Sequence, residues 1–268
     1  MVRARFTAHP KDPMGGALLS LRQESPCRLL IPGADPLPTA VLLTTTGGLA
    51  SGDQIRCHWI ADPSSAARIT TQAAEKIYRA RPGDPPVLVD VEIDVGAGAW
   101  VEWVPQETLL FDDSALTRIT TARIAPEGRL LAAEMSVFGR IAGGERWQTG
   151  RLDDRWSVSV GGDLRWLDQA LIDDGALLDH PQALHGARAI ATIIYVGPSG
   201  VRDDLRALLN DTLGEDVAGG LTEIDGVIVG RLMGADPAAV RRCLGAFLAQ
   251  ARALLADLPP TLPRVWLT

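Results

Sequence analysis

Histidine and lysine are almost missing from this chain. The four histidines, His9, His58, His180 and His185, are scattered. His180 and His185 stand five apart in a stretch broken by Pro181, so they share no helix face. The three cysteines, Cys27, Cys57 and Cys243, are odd in number, far apart and in no CxxC pair. That pattern excludes a disulfide framework and a zinc knuckle, and fits reduced thiols. A permanent zinc or nickel centre, which favours imidazole and thiolate, has few ligands to draw on. Lysine occurs only at Lys11 and Lys76, and arginine carries the rest of the positive charge. With a net charge of −7 the chain also lacks the basic surplus that a nucleic-acid surface needs. No apolar run reaches the roughly 18 residues of a membrane span. Met1-Val2-Arg3-Ala4-Arg5 leads into no apolar segment of the secretory kind, so a cytoplasmic protein without a membrane partner is expected.

Several catalytic signatures are missing too. No GxSxG elbow occurs for a serine nucleophile. Cys57 falls in a strand pattern and Cys243 in a helix pattern, so neither reads as a nucleophile. The stretch from Gly47 to Asp53 lacks the Lys-Ser/Thr that ends a phosphate loop, and no helix pattern follows it. A structural loop of left-handed glycines is the simpler reading, with Asp53 either capping that loop or facing a cavity. No internal repeat, low-complexity tract or long linker divides residues 1–268, which predicts a single domain.

What is present is mostly alternation. Ile55, Cys57 and Trp59 alternate with polar residues, and so do Val87, Val89, Val91, Ile93 and Val95. Further strands are predicted over Leu18–Leu21, Arg28–Ile31, Val41–Thr45, Trp100–Val104, Leu116–Ile124, Leu130–Phe138, Trp156–Val160, Leu164–Leu171 and Arg188–Val196. Turn signals at Asp62–Ser65, Gly96–Gly98, Pro126–Gly128, Gly161–Asp163 and Asp225-Gly226 punctuate them. Two helices come late. One spans Val201 to Leu213, with Val201, Leu205, Leu208 and Leu209 on one face. The other follows Asp236-Pro237, an N-cap with proline at the first helical position, and runs to about Leu258. Its apolar stripe is Val240, Leu244, Phe247, Ala251 and Leu254. The expected class is mainly β: an extended, helix-like stack of antiparallel or mixed sheets built from successive hairpins, with two helices near the C-terminus.

One stretch does not fit an ordinary core. Thr70-Thr71-Gln72-Ala73-Ala74-Glu75-Lys76-Ile77-Tyr78-Arg79 is polar and set between alternating runs. Carboxylates are common elsewhere, including Glu102, Asp112, Asp113 and Glu134, and most acids on a β-rich chain belong to a solvated face. Glu75, Glu107 and Glu145 differ in sitting outside clear strand alternation, where functional residues concentrate. A pair such as Glu107 with Glu145 would serve a β-rich hydrolase if held about 5–9 Å apart in one pocket. A plain structural module that binds proteins is a third possibility.

Read together, certain segments resemble the urease accessory protein family UreD, also called UreH. They are Gly47-Gly48-Leu49 with Gly52-Asp53, then Thr70 to Arg79, and Pro105-Gln106-Glu107-Thr108-Leu109-Leu110-Phe111-Asp112. Gly139-Arg140 with Gly144-Glu145 and Pro263-Arg264-Val265-Trp266 complete the set, in the family's order. The chain departs from the family in having Ala50-Ser51-Gly52 where a second glycine pair is usual. It also has Leu42 to Thr46 where a Cys-His pair is often found. The resemblance implies a non-catalytic scaffold that binds UreF and UreG, docks on apo-urease and passes nickel through an internal tunnel, with no permanent cofactor. Oxygen ligands hold nickel less tightly than imidazole or thiolate, and an acid-lined passage draws cations in. On that basis Asp53, Glu75, Glu107 and Glu145 are the expected transient nickel-lining residues, with Thr70 and Thr71 beside them. Lys76 is expected to pair with a nearby acid, or else to set the charge of the passage. Trp266 is expected to pack on the last helix or to anchor UreF.

Overall fold

The computed structural model describes residues 1–9, 12–33 and 37–267; Lys11 lies outside them. The chain begins with β1 (Val2–His9), β2 (Asp12–Gln23), β3 (Cys27–Leu30), β4 (Thr39–Thr44), β5 (Gln54–Ala61), β6 (Ala66–Thr71) and β7 (Glu75–Ile77). It continues through β8 (Val87–Val95), β9 (Trp100–Trp103), β10 (Thr108–Leu110), β11 (Ser114–Ile124), β12 (Arg129–Phe138), β13 (Gly150–Val160) and β14 (Asp163–Ile172). The last part holds α1 (Ala176–Asp179), β15 (Ala189–Val196), α2 (Arg202–Thr212), β16 (Val217–Ile224), β17 (Val227–Gly234) and α3 (Pro237–Ala256).

The strands form two sheets. The first has the order β14-β13-β11-β8-β5-β1-β2, and the second β16-β17-β15-β12-β9-β6-β4-β3 with β10 and β7 attached beside β12. The mainly β, helix-like stack with two C-terminal helices is as expected. Its connectivity differs from a run of hairpins. From β4 to β13 the principal strands alternate between the sheets, so neighbours within each sheet run parallel: β5, β8, β11 and β13 in one, and β4, β6, β9 and β12 in the other.

The turns at Asp62–Ser65, Gly96–Gly98 and Pro126–Gly128 are therefore corners that carry the chain from one sheet to the other. Successive corners stack on one another: Ser64 N donates to Ala97 O at 2.9 Å, and Gly96 N to Ala61 O at 2.8 Å. A Cβ on Gly96 would lie 2.6 Å from Pro63 N, so only glycine permits this approach. Proline, glycine and aspartate serve a stacked corner as readily as a hairpin, which is why the sequence pattern does not separate them. True hairpins join β13 to β14 and β16 to β17. In the latter, Asp225 and Gly226 both take positive φ, 48° and 78°, as the two-residue hairpin turn requires.

Alternation divides the buried side chains into two cores. Ile55, Cys57, Trp59, Val91, Ile93, Trp103, Leu116, Leu130, Leu152 and Trp156 fill the space between the sheets. Trp100, Leu131, Met135, Ile193, Leu205, Leu209, Val240, Leu244, Phe247 and Trp266 lie between the second sheet and the helices.

The helix α3 starts as expected, with the Asp236 side chain accepting from Ala238 N at 2.9 Å. It ends at Ala256, because Asp257 turns left-handed with φ 53° ahead of Pro259-Pro260. Leu254, expected on the buried stripe, is half exposed, and Leu248 is buried instead. One edge strand, β14, shows Leu164, Leu167 and Leu171 to solvent. Among the described residues no helix is long and apolar enough to cross a membrane.

Candidate functional site

Polar residues interrupt the core between the sheets along one band. On β11 the inward positions run Leu116, Arg118, Thr120, Ala122 and Ile124, all buried. On β12 they run Leu130, Ala132, Glu134, Ser136 and Phe138, and on β13 Leu152, Asp154, Trp156 and Val158. The strand register aligns Arg118 with Asp154 and Thr120 with Trp156. At one end of this band a small cavity of about 60 Å³ is bordered by Thr44, Thr71, Glu75, Trp103, Thr108, Arg118 and Glu134, with apolar side chains such as Leu49, Ile55 and Val91 making up much of the rest of its wall. At the other end a cleft of about 750 Å³ is bordered by Arg118, Glu134, Asp154, Asp168, Thr192 and Arg231, among others.

The bonds within the band are specific. Trp103 Nε1 and Thr120 Oγ1 donate to Glu134 Oε1 at 2.8 and 3.1 Å. Arg118 forks onto Asp154 through Nε at 3.0 Å and Nη2 at 2.5 Å. At the cleft, Arg231 donates to Thr192 and Asp168. Burial pushes the Glu134 carboxyl above its usual range, and the Arg118 charge only partly opposes it. Burial works against the charge on Arg118, but the Asp154 and Glu134 carboxylates outweigh it and hold the guanidinium above the ordinary arginine value.

The stretch from Thr70 to Arg79 divides its side chains among three settings. Thr70 is fully buried on the helix side of β6, donating to Val104 O at 2.7 Å and accepting from Trp266 Nε1 at 3.2 Å. Thr71 and Glu75 border the inner cavity, and Thr44 Oγ1 donates to Glu75 Oε2 at 3.1 Å. Ile77 is fully buried in the core between the sheets, so this polar stretch does serve the core at that point. Lys76 is exposed and forms no ion pair among the described residues.

The four acids singled out by sequence do not meet. Asp53 is exposed and caps its own loop, accepting from Ala50 N at 2.8 Å, since Gly47, Gly48 and Gly52 turn the backbone left-handed there. Glu107 pairs with Arg241 on α3 at 2.9 Å. Glu107 is next to β10, whose Thr108 pairs with Glu75, yet its side chain serves the helix. Glu145 accepts from Arg140 Nε and Nη2, both at 3.1 Å, and this pairing holds its carboxyl below the usual range. Neither Glu107 nor Glu145 borders the inner cavity or the cleft, so they do not form the shared pocket of an acid-pair hydrolase. Trp266 is buried against Gly245 of α3, its indole also donating to Val104 O at 3.1 Å.

Several of the other motif residues gather on an outer corner. Tyr78 donates to Gly47 O at 2.9 Å, and a Cβ on Gly48 would lie 2.7 Å from Tyr78 Cζ. Tyr78 meets Phe111 edge to face at 5.3 Å, and the Arg140 guanidinium lies 4.6 Å from the Phe111 ring centre.

Sequence reading missed Arg118, Asp154 and the inward placing of Glu134. Their signal was a polar residue at the inward parity of an otherwise apolar strand. Among the described residues no three or more His, Cys, Asp or Glu side chains converge as a metal-holding group. The band instead offers carboxylates in ones and twos with hydroxyls between them, a donor set suited to loose and short-lived cation contacts.

Burial raises the Glu75 pKa from 4.5, against the hydrogen bond from Thr44. Folding therefore favours the protonated carboxyl, and that contribution is lost as pH rises through the folded-state pKa. Glu75→Gln is expected to raise the urea midpoint at neutral pH, with the gain over the parent vanishing as pH falls towards 4.5. A gain independent of pH would contradict this assignment of the shift.

The family model described as UreD urease accessory protein matches residues 2–267. The urease accessory protein UreD of Magnetococcus marinus is 38% identical over 259 residues, covering 93% of this chain and 88% of that protein. The UreD of Azorhizobium caulinodans is 38% identical over 244 residues, covering 89% and 86%. UreD 1 of Methylobacterium radiotolerans is 36% identical over 271 residues, covering 98% and 91%.

Proposed function

The chain belongs to the UreD family of urease accessory proteins and has a role in urease maturation, and we propose that it acts there as a non-catalytic, cytoplasmic scaffold. In this reading it binds UreF and UreG, docks on apo-urease and passes nickel between its two sheets to the urease active site. Nickel is the cargo and is not retained. The observation that carries the reading is the band of carboxyl, hydroxyl and guanidinium groups from Glu75 to Asp168, polar where the strand pattern calls for apolar side chains and set in otherwise largely apolar walls.

The band's charge suits the cargo. Glu75, Glu134, Asp154 and Asp168 stand against the guanidinium groups of Arg118 and Arg231. An excess of carboxylate inside low-dielectric walls focuses a field that attracts cations. Carboxylates and hydroxyls exchange a hydrated divalent ion readily, whereas imidazole and thiolate grip it. The three cysteines, all buried and free, add to this. Burial pushes the Cys57 thiol, beside the inner cavity, far above its ordinary value, so it stays protonated and a poor nickel ligand.

In this reading Glu75 and Thr71, which border the inner cavity, line the passage together with Glu134 and Asp154. Asp53, Thr70, Glu107 and Glu145 take structural roles: a loop cap, a bond to Trp266 and two ion pairs. Trp266 bears on partner binding as a wall. With Arg241, Arg242, Gly245, Ala249 and Leu262 it borders a groove of about 570 Å³ along α3, which in this reading receives a helix of UreF.

Co-expression with urease, UreF and UreG tests the passage. Glu75→Ala is expected to lower the nickel bound per urease active site severalfold, while pull-down with UreF stays intact. Asp53→Ala and Glu145→Ala are expected to leave nickel content unchanged. Full nickel content with Glu75→Ala would remove the passage reading.

A further inference from the structure

The band is interrupted at one point. Arg118 borders both the inner cavity and the cleft, so its side chain stands where the two compartments meet. Oxygen atoms surround its guanidinium. Besides the fork onto Asp154, Nη2 donates to Ser136 Oγ and Nη1 to Thr108 Oγ1, each at a long 3.3 Å.

Glu134 shares this cluster. Its Oε1 takes the Trp103 and Thr120 donors, whereas Oε2 is enclosed and accepts no hydrogen bond among the described residues. Arg118 Nε lies 3.2 Å from Oε2 but directs its N–H at Asp154. Two buried carboxyl groups thus face a single monocation, and Glu134 Oε2 has only the 3.2 Å contact with Arg118 Nε and no hydrogen bond. Burying such a cluster is costly, and an apolar replacement of the whole of it would serve stability as well.

We propose that Arg118 is a displaceable gate: its guanidinium fills an oxygen-donor cation site formed by Glu134, Asp154, Ser136 and Thr108, and a divalent ion takes that site as the side chain swings aside. A dication favours ionisation of both carboxyl groups and then balances them, which the guanidinium alone does not. It also engages Glu134 Oε2, the oxygen that Arg118 leaves without a hydrogen bond. The cleft gives the displaced arm room to move. This inference rests on the passage reading and assigns the point at which passage is controlled.

The test uses the full chain with Ni²⁺ alone, by equilibrium dialysis and metal analysis. Arg118→Met leaves the two carboxylates without their cation and is expected to bind Ni²⁺ at least about tenfold more tightly than the parent. The gain should disappear in the double variant Arg118→Met/Glu134→Gln. Arg118→Lys keeps the charge but lacks the fork that reaches Asp154 and Ser136 together, and is expected to fall between parent and Arg118→Met. If Arg118→Met does not fold, Arg118→Lys carries the test. Affinity equal to the parent's in whichever variants fold overturns the gate. In co-expressed urease, failure of the gate alone leaves Arg118→Lys at full nickel content while Glu75→Ala still loses nickel. Failure of the passage reading leaves both at full content.

Discussion

Glu102→Ala is expected to lower the stability of the fold by about 3–5 kcal/mol, the usual cost of removing one partner from a buried charge cluster. Glu102 sits on the helix side of β9, 2% exposed. Its Oε2 accepts from Arg68 Nε at 2.7 Å, and its Oε1 from Arg252 Nε and Trp100 Nε1, both at 3.0 Å. Arg68 and Arg252 are as deeply buried as the acid, so water does not screen them once it is gone.

Arg252 has a second task, holding the chain after α3 through Pro259 O at 2.5 Å and Thr261 O at 3.0 Å. Loss of Glu102 therefore loosens the docking of α3 as well as β9. Urea unfolding followed by far-ultraviolet circular dichroism reads the loss. A decrease below about 1 kcal/mol, the scale of an exposed pair, would show that the cluster does not organise the second core.

Trp103→Ala is expected to cost a similar amount, about 3–5 kcal/mol, for a different reason. Trp103 packs 5.9 Å from Trp59, centre to centre, in the core between the sheets, and the truncated side chain leaves a void there. It also removes the indole N–H that Glu134 Oε1 accepts. Trp103→Phe separates the two effects. Most of the ring bulk stays while the donor is lost, and the expected cost is about 1–3 kcal/mol, that of a buried acceptor left short of a partner. Equal losses in the two variants would mean that packing at Trp103 contributes little.

Part of the strand pattern was legible because period-2 alternation is written directly into β5, β8, β11 and the second half of β13, whereas β6, β7 and β10 carry no such clear signal. The Asp236-Pro237 start of α3 was equally plain. What alternation leaves open is which strand lies beside which. Asp62–Ser65 and Pro126–Gly128 have hairpin chemistry, and only the stacking of one corner on the next shows them to be crossings between sheets.

The candidate site was half legible. Glu75 stood out because its segment breaks the alternation, and it does border the inner cavity. Glu107 and Glu145 share that sequence character and point elsewhere, because a short irregular segment does not reveal which way its side chains face. Glu134, Arg118 and Asp154 were hidden for the opposite reason. They sit in perfect register within strong strands, where an acid or arginine on the inward side passes for one more outward charge until the parity is counted.

The leucines along β14 carry a consequence of another kind. A strand with open backbone groups and apolar side chains on show is a template for copies of itself. How much of this chain stays dispersed in a preparation then depends on crowding of like molecules and on salt, not on how firmly each molecule is folded. Strengthening either core would raise the melting temperature and leave the yield of clear solution where it was.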